Sequence, residues 1–298
     1  MRVFVTGASG WIGSAVVDEL LAAGHEVVGL ARSDASASAL ESKGATVLRG
    51  ELDDLDALRR GALDAEGVVH LANKHDWGDL AESNRAERAA VETLAEALVG
   101  TGRPFLLAAG VAGLAAGRPG TEADPSPAIG PESPRGGAEN LALAYVDRGV
   151  RTVSVRFAPT VHGDGDDGFI AIITAAARRH GVSAHVGDGA ARWSAVHVAD
   201  AARLVRLGLE QAPAGARLHA VAEEAVPTRE IAQAIGDALG VPVTSVAPED
   251  AVEHLGFIGM FFGMDMAAAS DHTRKILDWT PTGPGLLEDI KAGAYRHA

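Results

Sequence analysis

Residues 6–13 read TGASGWIG, and the glycines at 7, 10 and 13 constrain this chain more than any other feature. Ahead of them, RVFVTG (2–7) is an apolar run of strand length. Behind them, WIGSAVVDELLAAG (11–24) has helical spacing and ends on Gly24, a common helix stop. Glycine is needed in such a turn for three reasons. The backbone takes unusual angles, it approaches a pyrophosphate closely, and the helix packs near the strand. The helix start then offers unpaired N–H groups and a positive dipole end to the phosphates. Strand before, helix after and a place in the opening βαβ unit supply the context that a glycine triplet alone lacks.

The rhythm continues. HEVVGLAR (25–32), ATVLRG (45–50), GVVHLAN (67–73), PFLLAAG (104–110) and VRTVSVRFAP (150–159) read as strands. Helices are expected at 35–43, 53–61, about 79–100, 135–148, 168–180, 198–211 and 228–239. Residues 115–134 are rich in Gly and Pro and read as a surface loop over the sheet. This alternation calls for an α/β fold, a doubly wound parallel sheet of about seven strands (Rossmann). A smaller C-terminal substrate-capping region completes it. The expected division is 1–162 with 193–222 for the dinucleotide domain, and 163–192 with 223–298 for the cap. The segment around 256–266 reads either as a mobile lid or as a packed cap.

Composition narrows the function. The chain has 298 residues, no cysteine and a net charge of −14. That excludes disulfides, thiol catalysis and Cys-based metal sites. It also argues against nucleic acid or anionic lipid as partners, since no excess of Lys and Arg is available for phosphates. No apolar run reaches the ~20 residues of a membrane span. The start, MRVFVTG, enters a strand at once, so a cytoplasmic chain without a leader is expected. H-E-x-x-H, Ca²⁺-loop and G-x-S-x-G patterns are absent, so no metal is expected. Helices 79–100 and 135–148 would be the faces of a homodimer.

The glycine spacing with Thr6 in front resembles the extended and atypical branches of the short-chain dehydrogenase/reductase superfamily, including the NAD-dependent epimerase/dehydratase family. GELDD (50–54) is similar to the segment beside the adenine, with Glu51 and Leu52 at those positions. VVHLAN (68–73) resembles the fourth strand, where Leu71, Ala72 and Asn73 would line the cofactor. RFAPTVHG (156–163) resembles R-P-x-x-V-Y-G, which sets Pro159 and Val161 beside the nicotinamide. WSAVHVADAAR (193–203) and LDWTPT (277–282) resemble two further motifs, in the right order. The resemblance implies that Thr6, Gly7, Ser9, Gly10, Trp11, Ile12 and Gly13 hold the phosphates. NAD-specific members end the second strand on an acid. Here it reads Leu30-Ala31-Arg32-Ser33, with no carboxylate before Asp34. Arg32 and Ser33 therefore point to a 2′-phosphate, and to NADP over NAD.

The superfamily's proton machinery is a Ser beside Tyr-x-x-x-Lys. Aligned on Glu139, this chain has Pro131 for the Tyr, Arg135 for the Lys, and Ala109 or Gly110 for the Ser. Arg135 is left to hold the ribose, but an arginine with pKa above ~12 relays no proton. Tyr145, ten residues along the same expected helix, would lie about 15 Å away. The remaining candidates follow strands at the sheet's carboxyl edge: His75 and Asp76 after the fourth, and His162 after the sixth. Asp76 has a second reading, as the cap of the helix that follows. His197 reads as a structural hydrogen-bonder and Trp193 as packing or a substrate wall. PRGGAE (134–139) and GDDGF (165–169) resemble an atypical subset that also lacks the Tyr and Lys, and that subset supplies no reaction. The expected activity is NADPH-dependent reduction of a small organic carbonyl or imine compound. The alternatives are a non-catalytic NADP-binding redox sensor and an epimerase or dehydratase.

Overall fold

The computed structural model describes residues 1–74 and 78–296. The chain opens with β1 (Arg2–Thr6), α1 (Trp11–Ala22), β2 (Glu26–Ala31), α2 (Asp34–Ser42), β3 (Thr46–Arg49), α3 (Leu55–Leu63), β4 (Gly67–His70), α4 (Leu80–Glu96) and β5 (Pro104–Gly110). Then come α5 (Ala138–Ala144), β6 (Arg151–Phe157), β7 (Thr160–His162), α6 (Phe169–His180), β8 (Ser183–Val186), β9 (Arg192–His197), α7 (Val198–Gln211) and β10 (Arg217–Ala220). The last elements are β11 (Glu223–Pro227), α8 (Thr228–Leu239), β12 (Val243–Val246), α9 (Ala251–Leu255), α10 (Gly259–Phe262), α11 (Asp271–Leu277) and α12 (Leu286–Ala292).

Among the described residues, seven strands form one sheet in the order β3-β2-β1-β4-β5-β6-β10, every pair parallel. A parallel strand is covered on both faces, so it reads as a continuous apolar run. In β1, Val3 and Val5 enter one core with α1 and α7, while Phe4 enters the other with α3, α4 and α5. The order reverses between β1 and β4. A sheet of this kind opens its ligand crevice at that point, beyond the carboxyl ends of the strands.

A third core holds Ile170, Trp193, Ile235 and Phe262. β9 is the wall between this core and the main one: Trp193 and Ala195 face the cap, and Val196 faces the sheet core. The segment 256–266 is packed rather than lid-like, with Ile258 and Phe262 fully buried. Not all of 223–298 sits in the cap core. Leu277 and Trp279 pack on the main core, and the Asp200 carboxylate accepts hydrogen bonds from the Thr282 and Gly283 amides. Two motifs far apart in sequence thus close on each other.

Two expectations are corrected. The helix expected at 135–148 is regular only over Ala138–Ala144. Arg135, Gly136 and Gly137 take φ of +54°, +59° and +64°, a left-handed turn before the helix. Arg135 therefore does not lie on the helix. The loop 115–134 is also more than surface. Buried Glu122 accepts from the Thr273 amide and hydroxyl, at 2.8 and 2.7 Å, and pins the loop to α11.

Candidate active site

The glycine turn lies at the crevice. Gly7 has φ +67°, and a Cβ there would meet the Ala72 amide nitrogen at 2.7 Å. This close approach joins the turn to the end of β4. A Cβ on Gly13 would meet the Gly7 carbonyl oxygen at 2.0 Å, so α1 packs directly on the turn. Gly10 caps α1 without a side chain, which leaves the first-turn amides for a ligand. Beside them an open groove of about 360 Å³ runs along Ser9, Gly10, Trp11 and Ser14 to Gly165. A pyrophosphate fits this cradle. The Trp11 indole N–H donates to the Val161 carbonyl at 2.6 Å and joins the phosphate end to β7. Ile12 packs against the sheet core.

At the adenosine end, Arg32 follows β2 directly and is exposed, with no side-chain partner among the described residues. The Ser33 hydroxyl caps α2, accepting from the Ser36 amide at 3.1 Å. Asp34, the first acid after the strand, is turned to Arg49 at the end of β3. Glu51 is exposed, while Leu52 packs against the α3–α4 core. Lys74 bridges Asp53 at 2.8 Å and Glu82 at 2.9 Å, and these hydrogen bonds raise its pKa above the ordinary value.

At the other end, Leu71, Ala72 and Asn73 continue β4 into the crevice, all half-buried. Beneath them runs a buried polar chain. The Thr6 hydroxyl lies 2.7 Å from His70 Nδ1 and accepts from the Ala72 amide at 3.3 Å. Nε2 of His70 lies 3.7 Å from the Glu87 carboxylate and makes no hydrogen bond among the described residues. Glu87 is fully buried and also receives Arg135 Nη2 at 2.6 Å and Asn73 Nδ2 at 3.3 Å. Burial alone would raise its pKa, but the Arg135 charge and the other donors outweigh that and hold it at about 2. Pro159 is half-buried and Val161 buried on the far wall.

His162 is not in the crevice wall. It is fully buried at the junction of β7 and α12, with Nδ1 2.6 Å from Asp289 Oδ2. Nε2 lies 4.0 Å from Glu223, and the ring stands edge-on to His197. Burial pushes its pKa below the usual histidine value. β7 turns this side chain toward α12. His75 and Asp76 lie outside the described residues. The cap of α4 is Asp79, which accepts from the Glu82 amide at 2.9 Å. Trp193 is fully buried and His197 caps α7, as expected.

Sequence reasoning missed two features. Glu87 was visible in principle, since it interrupts the apolar stripe Ala86, Ala90, Val91 and Leu94 on α4. The second is a cluster of half-buried rings. Phe169 stacks on Phe261 (6.3 Å, 9°) and meets Phe257 edge-on at 6.2 Å, with Trp193 beneath. No spacing rule joins residue 169 to 257 and 261. Among the described residues no group of acidic and histidine side chains could hold a metal, and no helix is long and apolar enough to cross a membrane.

The parallel sheet, its switch point and the glycine cradle define a dinucleotide-binding α/β protein. Residues 3–221 match the model of the NAD dependent epimerase/dehydratase family, and the chain belongs to that family. It is 43% identical over 296 residues to an uncharacterised protein of Schizosaccharomyces pombe, covering 99% of this chain and 100% of that protein. It is 32% identical over 273 residues to the 2'-dehydrokanamycin reductase of Streptomyces kanamyceticus, covering 86% of this chain and 72% of that protein. Among solved structures it is similar to MoeE5 in complex with UDP-glucose and NAD (TM-score 0.76, 27% identity, 99% of this chain and 97% of that one). Members of the family use NAD(P), and reductases, epimerases and dehydratases are among them.

Proposed function

We propose that this chain is an NADPH-dependent reductase of a small organic carbonyl or imine compound. The observation that carries the cofactor choice is at the adenosine end. Asp34 is spent on Arg49, while Arg32 is exposed without a partner beside it. A ribose 2′-hydroxyl would find no carboxylate there; a 2′-phosphate would find a guanidinium. The Ser33 hydroxyl can donate to the same phosphate. The Gly7–Gly13 turn and the first amides of α1 hold the pyrophosphate. Glu51 and Leu52 border the adenine. Leu71, Ala72, Asn73, Arg135, Pro159 and Val161 border the nicotinamide ribose.

When bound, the cofactor supplies the hydride. The chain must then orient the acceptor, exclude water and give a proton. The rings of Phe169, Phe257 and Phe261 favour an apolar or planar acceptor. The reductase and ketoreductase names of relatives point the same way: besides the kanamycin enzyme, a 4-hydroxy-2-methyl-3-oxo-4-farnesyl-3,4-dihydroquinoline-1-oxide ketoreductase of Stigmatella aurantiaca is 30% identical over 223 residues. With Pro131 where the Tyr would stand, this reading assigns the proton donor to His75, with Asp76 as a further candidate. His162, fully buried against α12, is the second candidate for that role.

The test measures NADPH and NADH affinity for the wild type and Arg32→Ala. The substitution should weaken NADPH about ten- to a hundredfold and leave NADH nearly unchanged. Equal weakening of both would overturn the cofactor assignment. His75→Gln should lower turnover by about a hundredfold with cofactor binding intact.

A further inference from the structure

We propose that Glu87 is a positioning residue for the nicotinamide-ribose end of the cofactor, acting through Arg135 and Asn73. The proposal rests on the reading above that these two side chains border that ribose. It adds the group that fixes them, which sits beneath the crevice out of reach of any ligand.

Three observations converge on Glu87. Its two carboxylate oxygens divide the work, Oε1 taking Arg135 and Oε2 taking Asn73. One buried anion thus orients a side chain from the 134–137 turn and one from the end of β4. Arg135 sits at φ +54°, in the left-handed region where a non-glycine side chain is strained. α4 holds that turn at two further points. Arg88 donates to the Gly136 carbonyl at 2.9 Å, and a Cβ on Gly136 would lie 2.5 Å from the Asn84 carbonyl oxygen. Finally, His70 lies between Glu87 and Thr6: its Nε2 is 3.7 Å from Glu87 without a hydrogen bond, and its Nδ1 is 2.7 Å from the Thr6 hydroxyl beside the glycine turn.

Function is suggested by the contrast within the pair. Glu87 is wholly hidden, while the Arg135 side chain keeps 34% of its surface. A guanidinium held in strain at the mouth of a crevice, with its charge fixed from below, is built to meet something outside. A ribose hydroxyl or an adjacent phosphate oxygen is the matching acceptor.

The experiment uses the full chain without substrate and reads NADPH and NADH affinity by cofactor fluorescence, with the thermal midpoint alongside. Glu87→Gln keeps the shape and removes the charge. It should weaken both cofactors alike, by about tenfold. Arg32→Ala is predicted to affect NADPH selectively, so the two effects are separable. The loss in the double variant Glu87→Gln/Arg135→Gln should be smaller than the sum of the two single losses, because Glu87 acts in part through Arg135. A Glu87→Gln protein that melts earlier yet binds both cofactors normally overturns the proposal, as do additive losses in the double variant. Should Glu87→Gln not fold, Arg135→Gln at the open end must itself weaken both cofactors about tenfold; normal affinity there overturns the proposal too. A wild type that binds neither cofactor overturns the underlying reading and this one together.

Discussion

Two glutamate–arginine pairs flank residues 134–139, and they do different jobs. Arg156 meets Glu139 at 2.7 Å, and Arg135 meets Glu87 at 2.6 Å. In the first pair both partners are buried. Ser154 also donates to Glu139, and Arg156 reaches the Asp124 carbonyl at 2.9 Å. That pair fastens α5 and the 115–134 loop to β6. In the second, the arginine is strained and half-open, and the proposal above sets it at the ligand crevice. The two distances are alike; exposure and backbone strain are what separate the pairs.

The strongest way to break this comparison is Arg156→Leu. It leaves the Glu139 carboxylate buried beside an apolar group. Losing one partner of a buried pair costs about 3–5 kcal/mol. Urea unfolding should show that loss, while the folded fraction binds NADPH as the wild type does. A loss below about 1 kcal/mol would make the inner pair no more structural than the outer one.

The outer pair is sharpened by acid. Glu87 titrates at about 2 in the fold against 4.5 for an ordinary glutamate. A depressed carboxylate contributes stability that is complete above its unfolded pKa and is lost as pH falls through the folded value. The stability gap between the wild type and Glu87→Gln should therefore be constant above about pH 5 and shrink between pH 4.5 and 2. A gap unchanged down to pH 2 would mean that the carboxylate carries no special charge stabilisation.

The unequal legibility of these features has physical causes. The glycine turn was readable because three backbone requirements fall within seven residues of one strand–helix junction. The parallel order was readable because strands buried on both faces are apolar throughout. Asp200 and Trp279 were quoted as separate motifs, and their meeting needed the fold. The spacing puts Arg135 on a helix, whereas its backbone is left-handed. The signal was present in Gly136 and Gly137, which follow it. The burial of His162 against α12 is not legible, because sequence gives the strand and not the face that another region will cover. The strands β8, β11 and β12 are not legible, all being short and the last two only partly buried.

That covered face gives the smallest effect. His162 stands between the Asp289 carboxylate of α12, Glu223 of β11 and the His197 ring of β9. Burial holds its pKa below the ordinary 6.5, so the unfolded chain takes up the proton first. The sign follows: this histidine contributes stability above pH 6.5 and loses it as pH falls through the folded value. His162→Asn keeps a donor where Nδ1 meets Asp289 and removes the titration. At pH 8 it should cost about 1 kcal/mol of packing. Below pH 6.5 that cost should narrow, because the wild type alone weakens. Urea midpoints of both proteins from pH 8 to 5 provide the measurement. Parallel curves would mean that the neighbouring carboxylates compensate the buried charge in full. His162 would then be a tie between sheet and cap that acid does not loosen.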